Sequence, residues 1–114
     1  MAGIENVKSK PTHITLKDGV ERELSFTLNA MAEIEERYGS IEAAFKALEN
    51  NSIKAIRLVL WAGLLVNEDK PLTEQQVGAL VDMQHLDTIV EQIGGAFVKD
   101  MPPQEAGNAL PNAL

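Results

Sequence analysis

The spacing of hydrophobic residues changes once along this chain, after residue 26. Between residues 12 and 26, apolar and polar residues alternate on either side of Lys17-Asp18-Gly19, which is typical of a β-hairpin. A two-residue turn would place Ile14 and Leu16 opposite glutamates, mixing apolar and charged side chains on one face. A three-residue loop with Gly19 in the left-handed conformation avoids that conflict. The sequence therefore predicts the longer loop.

The longer loop sets the register of the predicted hairpin. The expected cross-strand pairs are Thr12 with Leu24, His13 with Glu23, Ile14 with Arg22, Thr15 with Glu21 and Leu16 with Val20. Arg22 is the one misfit, and we expect its aliphatic stem to cover the edge of the sheet. Because two strands alone are marginally stable, we expect either that the hairpin folds over the helices or that neighbouring copies add strands in a homo-oligomer.

After residue 26 the hydrophobic spacing becomes helical and predicts about five helices. Capping residues mark four helix starts: Thr27 or Asn29, then Ser40, then Asn50-Asn51-Ser52, and then Thr73 with Gln76 as a capping box. Leu72 is expected to staple onto Val77. The first helix should end at Gly39, and its predicted buried face is Leu28, Met31, Ile34 and Tyr38.

The next two helices are predicted to carry much of the core. In the second helix, the buried face is Ile41, Ala44, Phe45 and Leu48. The third, Ile53 to Val66, is apolar all round in its second half, as in helices at the centre of a bundle. Its predicted core residues are Ile56, Leu60, Trp61 and Leu64.

The fifth helix is predicted to start near Thr88 and to end around Asp100, before Pro102-Pro103. Its apolar stripe is Leu86, Ile89, Val90, Ile93 and Phe97, interrupted by Gly94-Gly95. Two glycines inside a helix weaken it by ~1 kcal/mol each relative to alanine. Two explanations stay open: another helix packs closely against them, or the fifth helix detaches and exposes Ile93 and Phe97 to an amphipathic partner.

At 114 residues the chain is the size of one domain. The predicted fold class is α+β, an N-terminal β-hairpin followed by a bundle of about five short helices, within residues 11–101. Residues 1–10 and 102–114 are expected to be flexible tails, since neither has hydrophobic periodicity.

Composition narrows the classes of partner. The net charge of −7 opposes binding to a phosphate backbone, so we expect no nucleic acid and favour a protein, such as a basic one. The absence of cysteine excludes disulfides, thiolate nucleophiles and thiolate metal sites. The longest apolar run, Leu58 to Val66, is far shorter than the about 20 residues of a membrane helix. We therefore expect no membrane partner and a cytoplasmic location.

Few residues suggest catalysis. His85 with Asp82 and Asp87 could form a metal site, but short polar residues beside a helix start are more often caps, so no metal or cofactor is expected. The carboxylates of residues 33–36 are best explained as a solvated face in which Glu33 pairs with Arg37. The alternative is a docking face for a basic partner. The candidate protein-binding residues are Glu33, Glu36, Ile89, Ile93, Gly94, Gly95 and Phe97.

Two segments carry a resemblance to a known family. Leu28 to Tyr38 reads LNAMAEIEERY and is followed by Gly39-Ser40-Ile41, and Arg57 to Leu64 reads RLVLWAGL. In these words and in their order, residues 12–101 resemble the small phage tail assembly chaperones, in the branch found with gene transfer agents. The resemblance brings no catalytic residues.

The resemblance implies a non-enzymatic function in virion assembly. Such a chaperone is expected to coat the helical tape-measure protein, or to bind another tail protein, in the cytoplasm of the bacterial host before the tail tube polymerises. The alternative is a host-encoded adaptor or regulatory module that recognises a protein. An enzyme is a third, less favoured interpretation.

Overall fold

The computed structural model describes residues 12–69 and 71–100. Within them, strands β1 (Thr12–Thr15) and β2 (Glu21–Leu24) form an antiparallel hairpin that precedes five α-helices. The helices are α1 (Leu28–Tyr38), α2 (Ile41–Glu49), α3 (Ile53–Gly63), α4 (Glu74–Leu80) and α5 (Leu86–Asp100), with a 3₁₀ helix, Met83–His85, directly before α5. The predicted α+β class is therefore confirmed. The predicted tails, residues 1–10 and 102–114, and the outermost domain residues, 11 and 101, lie outside the described residues.

The register of the hairpin is the predicted one. Thr12 pairs with Leu24, His13 with Glu23, Ile14 with Arg22 and Thr15 with Glu21. Gly19 has a φ of 77°, the left-handed value that a three-residue loop requires, and its N–H donates to the Leu16 carbonyl. Ile14, Leu16 and Leu24 are buried, so the hairpin folds over the helices, which is one of the two expected outcomes.

Arg22 corrects one expectation. Instead of covering the sheet edge, its side chain is only 5% exposed. The guanidinium makes two hydrogen bonds to the Asp18 carboxylate, of 2.7 and 3.1 Å. These bonds, followed by one from the Val20 N–H, lower the pKa of Asp18 to about 2. The apparent misfit therefore joins the strand to its own loop through an ion pair.

Helix α3 lies at the centre of the core. Ile56, Leu60, Trp61 and Leu64 are all buried, as predicted, and the Trp61 indole N–H donates to the Leu72 carbonyl over 3.0 Å. The helix ends at Gly63, three residues before the predicted end, and residues 64–66 form turns. There the Asn67 side-chain amide donates to the Leu64 carbonyl over 3.0 Å, so the chain leaves the helix while its backbone remains hydrogen-bonded.

Gly63 is the point of closest approach between the hairpin and α3. A Cβ atom at this position would lie 2.6 Å from Cδ1 of Leu24 and 3.0 Å from Cζ of Phe26. Beside it, the Ser25 N–H donates to the Gly63 carbonyl over 2.9 Å. Because Leu24 and Phe26 are themselves buried, neither can move aside cheaply for a larger residue.

The helix starts agree with the capping pattern except at α5. Thr27, Ser40, Ser52 and Thr73 each accept a backbone N–H, and the Thr73/Gln76 capping box is complete. Helix α5 starts at Leu86, two residues before the predicted Thr88, because the 3₁₀ helix capped by Asp82 leads into it. Its stripe is nevertheless buried or half-buried, as predicted.

Leu28 is a second correction, because it is 85% exposed. At 100° per residue it lies about 120° around α1 from the fully buried Ile34. Ala30, which was not in the predicted face, is fully buried instead, while Met31 and Tyr38 pack at the border of the core. The other α1 prediction, termination at Gly39, is confirmed by a φ of 99°.

The Arg22–Asp18 pair predicts a pH dependence of stability. Because the pKa of Asp18 falls from 3.8 to about 2, the stabilisation is complete above the ordinary value and is lost as the pH falls toward 2. We expect Asp18→Asn to lower the melting temperature at pH 7 and the difference from wild type to close over that acid range. The double variant Asp18→Asn, Arg22→Met should recover stability, since no unpaired charge stays buried. A gap at pH 2 as large as that at pH 7 would contradict this account.

The glycines of α3 and α5 predict opposite effects of alanine. Gly63→Ala should lower the free energy of unfolding by about 1–3 kcal/mol through overpacking. At Gly94 and Gly95 a Cβ would meet no described atom within 4 Å, apart from the adjacent residues and the nearby backbone of α5 itself. Gly94→Ala with Gly95→Ala should therefore raise the free energy of unfolding by up to ~2 kcal/mol. Urea unfolding curves measure both, and destabilisation by the double substitution would contradict the open space at these positions.

Candidate functional site

The apolar residues predicted to bind a partner face inward. Ile89 is 6% exposed and Ile93 is fully buried, while Phe97 is half-buried. Gly94 and Gly95 lie within the continuous helix α5, and no described residue packs closely on them. Of the two explanations for the glycine pair, close packing is therefore not observed among residues 12–69 and 71–100. Detachment of α5 would first have to remove Ile89 and Ile93 from the core.

The C-terminal half of α5 is held in place by aromatic and polar contacts. The ring of Phe97 lies 3.9 Å from that of Phe45 on α2 and 5.8 Å from that of Phe26, measured between centroids. The Asp100 carboxylate accepts the Phe26 N–H over 2.8 Å. These contacts lie on the C-terminal side of the glycine pair, so displacing this half of α5 would break them.

Glu33 and Glu36 differ in their surroundings. Glu33 forms the predicted ion pair with Arg37, over 3.4 Å, whereas Glu36 is exposed to solvent. Arg37 also binds Glu74 on α4, over 3.2 Å, a contact between distant residues that helical spacing does not predict. The Arg37 guanidinium lies over the Trp61 ring, 4.3 Å from its centroid, in a cation–π contact. Arg37 therefore links α1 to both α3 and α4.

Asp82 and His85 lie at the two ends of the 3₁₀ helix, Asp82 as its N-cap and His85 as its last residue. Asp82 caps this helix by accepting the Gln84 N–H over 3.0 Å, and its second oxygen lies 3.5 Å from Nδ1 of His85. The capping interpretation of Asp82 is thus confirmed. Among residues 12–69 and 71–100, no three histidine or acidic side chains are close enough together to hold a metal ion.

An apolar groove lies between α3 and the segment from α4 to the start of α5. This surface, the helix groove, has a volume of about 250 Å³. Ile53 and Met83 line it while being 53% and 66% exposed. The remaining lining residues are Ile56, Arg57, Leu60, Gln75, Gly78, Val81 and Leu86.

The helix groove was not predicted, for an identifiable reason. Ile53, the first residue of α3, continues the apolar face of Ile56 and Leu60, so spacing alone does not show that it is exposed, and Met83 opens the 3₁₀ helix outside any helical stripe. The groove exists because α4 is short and the chain turns at Val81 and Asp82, both of extended conformation, before α5 begins. Two further large apolar residues, Leu28 and Val98, are exposed and do not line this groove.

Charge at the helix groove is already paired. Arg57 lines the groove, and its guanidinium Nε lies 3.2 Å from Glu74, which also binds Arg37. An apolar partner therefore meets no unpaired cation at Arg57. The groove can accept apolar side chains.

Comparison with family models, with curated proteins and with solved structures gives no match to this chain. None of the helices within residues 12–69 and 71–100 combines the length and apolar character needed to cross a membrane.

Proposed function

We propose that this protein is a non-enzymatic tail assembly chaperone of a phage or prophage. In this function it binds a helical segment of the tape-measure protein before the tail tube polymerises. The sequence resemblance over α1 and α3 supports the family, and the exposed apolar residues of the helix groove support the mode of binding. The single observation that carries the mode of binding is the exposure of Ile53 and Met83 at one groove.

An amphipathic helix is the partner segment that suits the helix groove. A helix presents apolar residues at i, i+3 or i+4, and i+7, so that neighbouring side chains can enter one groove together. Met83 has an unbranched, flexible side chain, which adapts to partners of different shape. The net charge of −7 favours a helix whose exposed face is basic. A long tape-measure protein offers many such segments.

Binding at the helix groove requires less rearrangement than displacement of α5. The groove residues Ile53 and Met83 are exposed without any movement. Exposing Ile93 would instead require α5 to leave the core and Phe97 to leave its ring contacts with Phe26 and Phe45. The groove therefore replaces the α5 stripe as the primary binding surface in this proposal.

Substitutions at the groove test the proposal. We expect Ile53→Ser and Met83→Ser each to weaken binding of the co-expressed tape-measure protein by about tenfold, equivalent to roughly 1.4 kcal/mol for a lost apolar anchor. Leu28→Ser and Val98→Ser are matched controls, because these residues are at least as exposed but lie outside the groove. Co-purification and the soluble fraction of the tape-measure protein report the outcome. Equal effects of all four substitutions would contradict a specific groove.

The glycine pair distinguishes groove binding from displacement of α5. If the partner binds at the groove, Gly94→Ala with Gly95→Ala should leave binding unchanged while it stabilises the domain. If α5 must detach, the same variant should weaken binding, because a more stable helix is harder to displace. Binding affinity measured beside unfolding free energy separates the two cases. Weaker binding would return the site to Ile89, Ile93 and Phe97.

A further inference from the structure

The two edges of the hairpin have different surroundings. On the β2 side, the Asn67 side chain accepts the Glu23 N–H over 3.0 Å and donates to the Glu23 carbonyl over 2.7 Å. The Ser25 N–H is bonded to Gly63 on the same side. Asn67 therefore makes the two hydrogen bonds that a residue of a neighbouring strand would make, and the edge of β2 is closed.

The edge of β1 is open. The backbone N–H and C=O of Glu23 point away from β1, toward Asn67. In an antiparallel pair the opposite residue, His13, then points its backbone groups away from β2. Thr15, two residues further along β1, has the same orientation as His13. Within residues 12–69 and 71–100, the backbone groups of His13 and Thr15 have no hydrogen-bond partner. Further along the same edge, the Lys17 N–H does have a partner in the described residues, the Leu80 carbonyl at 2.9 Å.

A groove runs beside this open edge. This edge groove has a volume of about 530 Å³ and lies between β1 and the segment from Leu80 to Gln92. Ile89 and Leu16 contribute apolar surface to it, and His13, Thr15 and Lys17 line its strand side. The four residues of β1 extend over ~13 Å, which matches a short stretch of one extended chain.

The recess limits what can pair with β1. A second copy would have to present its own β1 edge, which lies in an identical groove beside Leu80 to Asp82, so the two edges would be held apart. A single extended strand brings no such flanking segment with it. Strand addition of this kind derives affinity from main-chain hydrogen bonds and selectivity from alternate side chains.

The charged residues that line the edge groove indicate which kind of strand would bind there. Asp82 lines the edge groove, but one carboxylate oxygen caps the 3₁₀ helix and the other lies 3.5 Å from His85. Lys17 also lines the groove and has no ion-pair partner within the described part of the chain. Of these two charged residues only Lys17 lies on the strand side of the groove, where an added strand would pass, although the chain as a whole has a net charge of −7.

We propose that the edge groove binds an extended segment of another protein that adds a strand to β1 and places a carboxylate beside Lys17. The edge groove is a different surface from the helix groove, so the two proposals fail independently. The occupant is an extended peptide with one carboxylate opposite Lys17, whereas the helix groove takes an apolar helical face.

A designed peptide tests strand addition on the full-length protein. The probe is an acetylated and amidated heptapeptide that alternates threonine and valine around a central aspartate. At saturation, we expect amide exchange at His13 and Thr15 to slow by at least about tenfold, because new main-chain bonds protect these groups. The same peptide with a central lysine should bind about two- to fivefold more weakly, the range of one exposed ion pair, and Lys17→Gln should abolish that difference.

Two variants of one residue serve as matched tests. Thr15→Pro removes an outward N–H while leaving the hydrogen bonds between Ile14 and Arg22 in place, so it should abolish peptide binding without unfolding the hairpin. Thr15→Val keeps the N–H and should bind like wild type. Far-ultraviolet circular dichroism and the exchange of core amides show whether each variant is folded.

Four outcomes would overturn the proposal. The first is equal exchange at His13 and Thr15 with and without saturating peptide. The second is protection that rises with protein concentration in the absence of peptide, which would assign the edge to a second copy. The third is protection that is already present without peptide and is lost when the chain is truncated after Asp100, which would assign the edge to the chain's own C-terminal residues. The fourth is undiminished binding by Thr15→Pro.

Discussion

The fold depends on the close approach of the hairpin to α3 at Gly63. Without a side chain at this position, Leu24 and Phe26 pack directly against the helix, and the Ser25 N–H reaches the Gly63 carbonyl. This contact fixes the point along α3 at which β2 packs against the helix. Asn67, four residues further on, is then in place to bond both backbone groups of Glu23. The position of β1, and with it the open edge, follows from the same contact.

The sequence predicted those features that local rules determine. The hairpin register followed from keeping one face apolar, and the Thr27, Ser40 and Thr73 caps followed from short-range hydrogen bonding. Features set by tertiary contacts escaped prediction. Leu28 is exposed because the core meets another side of α1, and Arg22 is buried because its own loop supplies an anion. No periodicity encodes either fact.

Among the candidate binding surfaces, too, features set by local spacing were predicted and features set by tertiary contacts were not. The apolar stripe of α5 was read correctly from its spacing, but spacing does not tell a buried stripe from one that awaits a partner. Both grooves arise where elements end: the helix groove where α4 gives way to the 3₁₀ helix, the edge groove where β1 meets Leu80. Their residues are scattered along the chain, so only the folded arrangement brings them together.

Closure of one hairpin edge by Asn67 has a consequence for self-assembly. A sheet polymerises without limit only if each unit offers two complementary edges, as in amyloid-like stacking. Here a side-chain amide occupies one of them, so this hairpin can be extended only at β1, and copies of it cannot stack through both edges into an unlimited sheet. Asn67 thus prevents a further strand from pairing with β2. With β2 closed in this way, the hairpin can leave the backbone groups of β1 open for pairing without forming fibres of stacked copies.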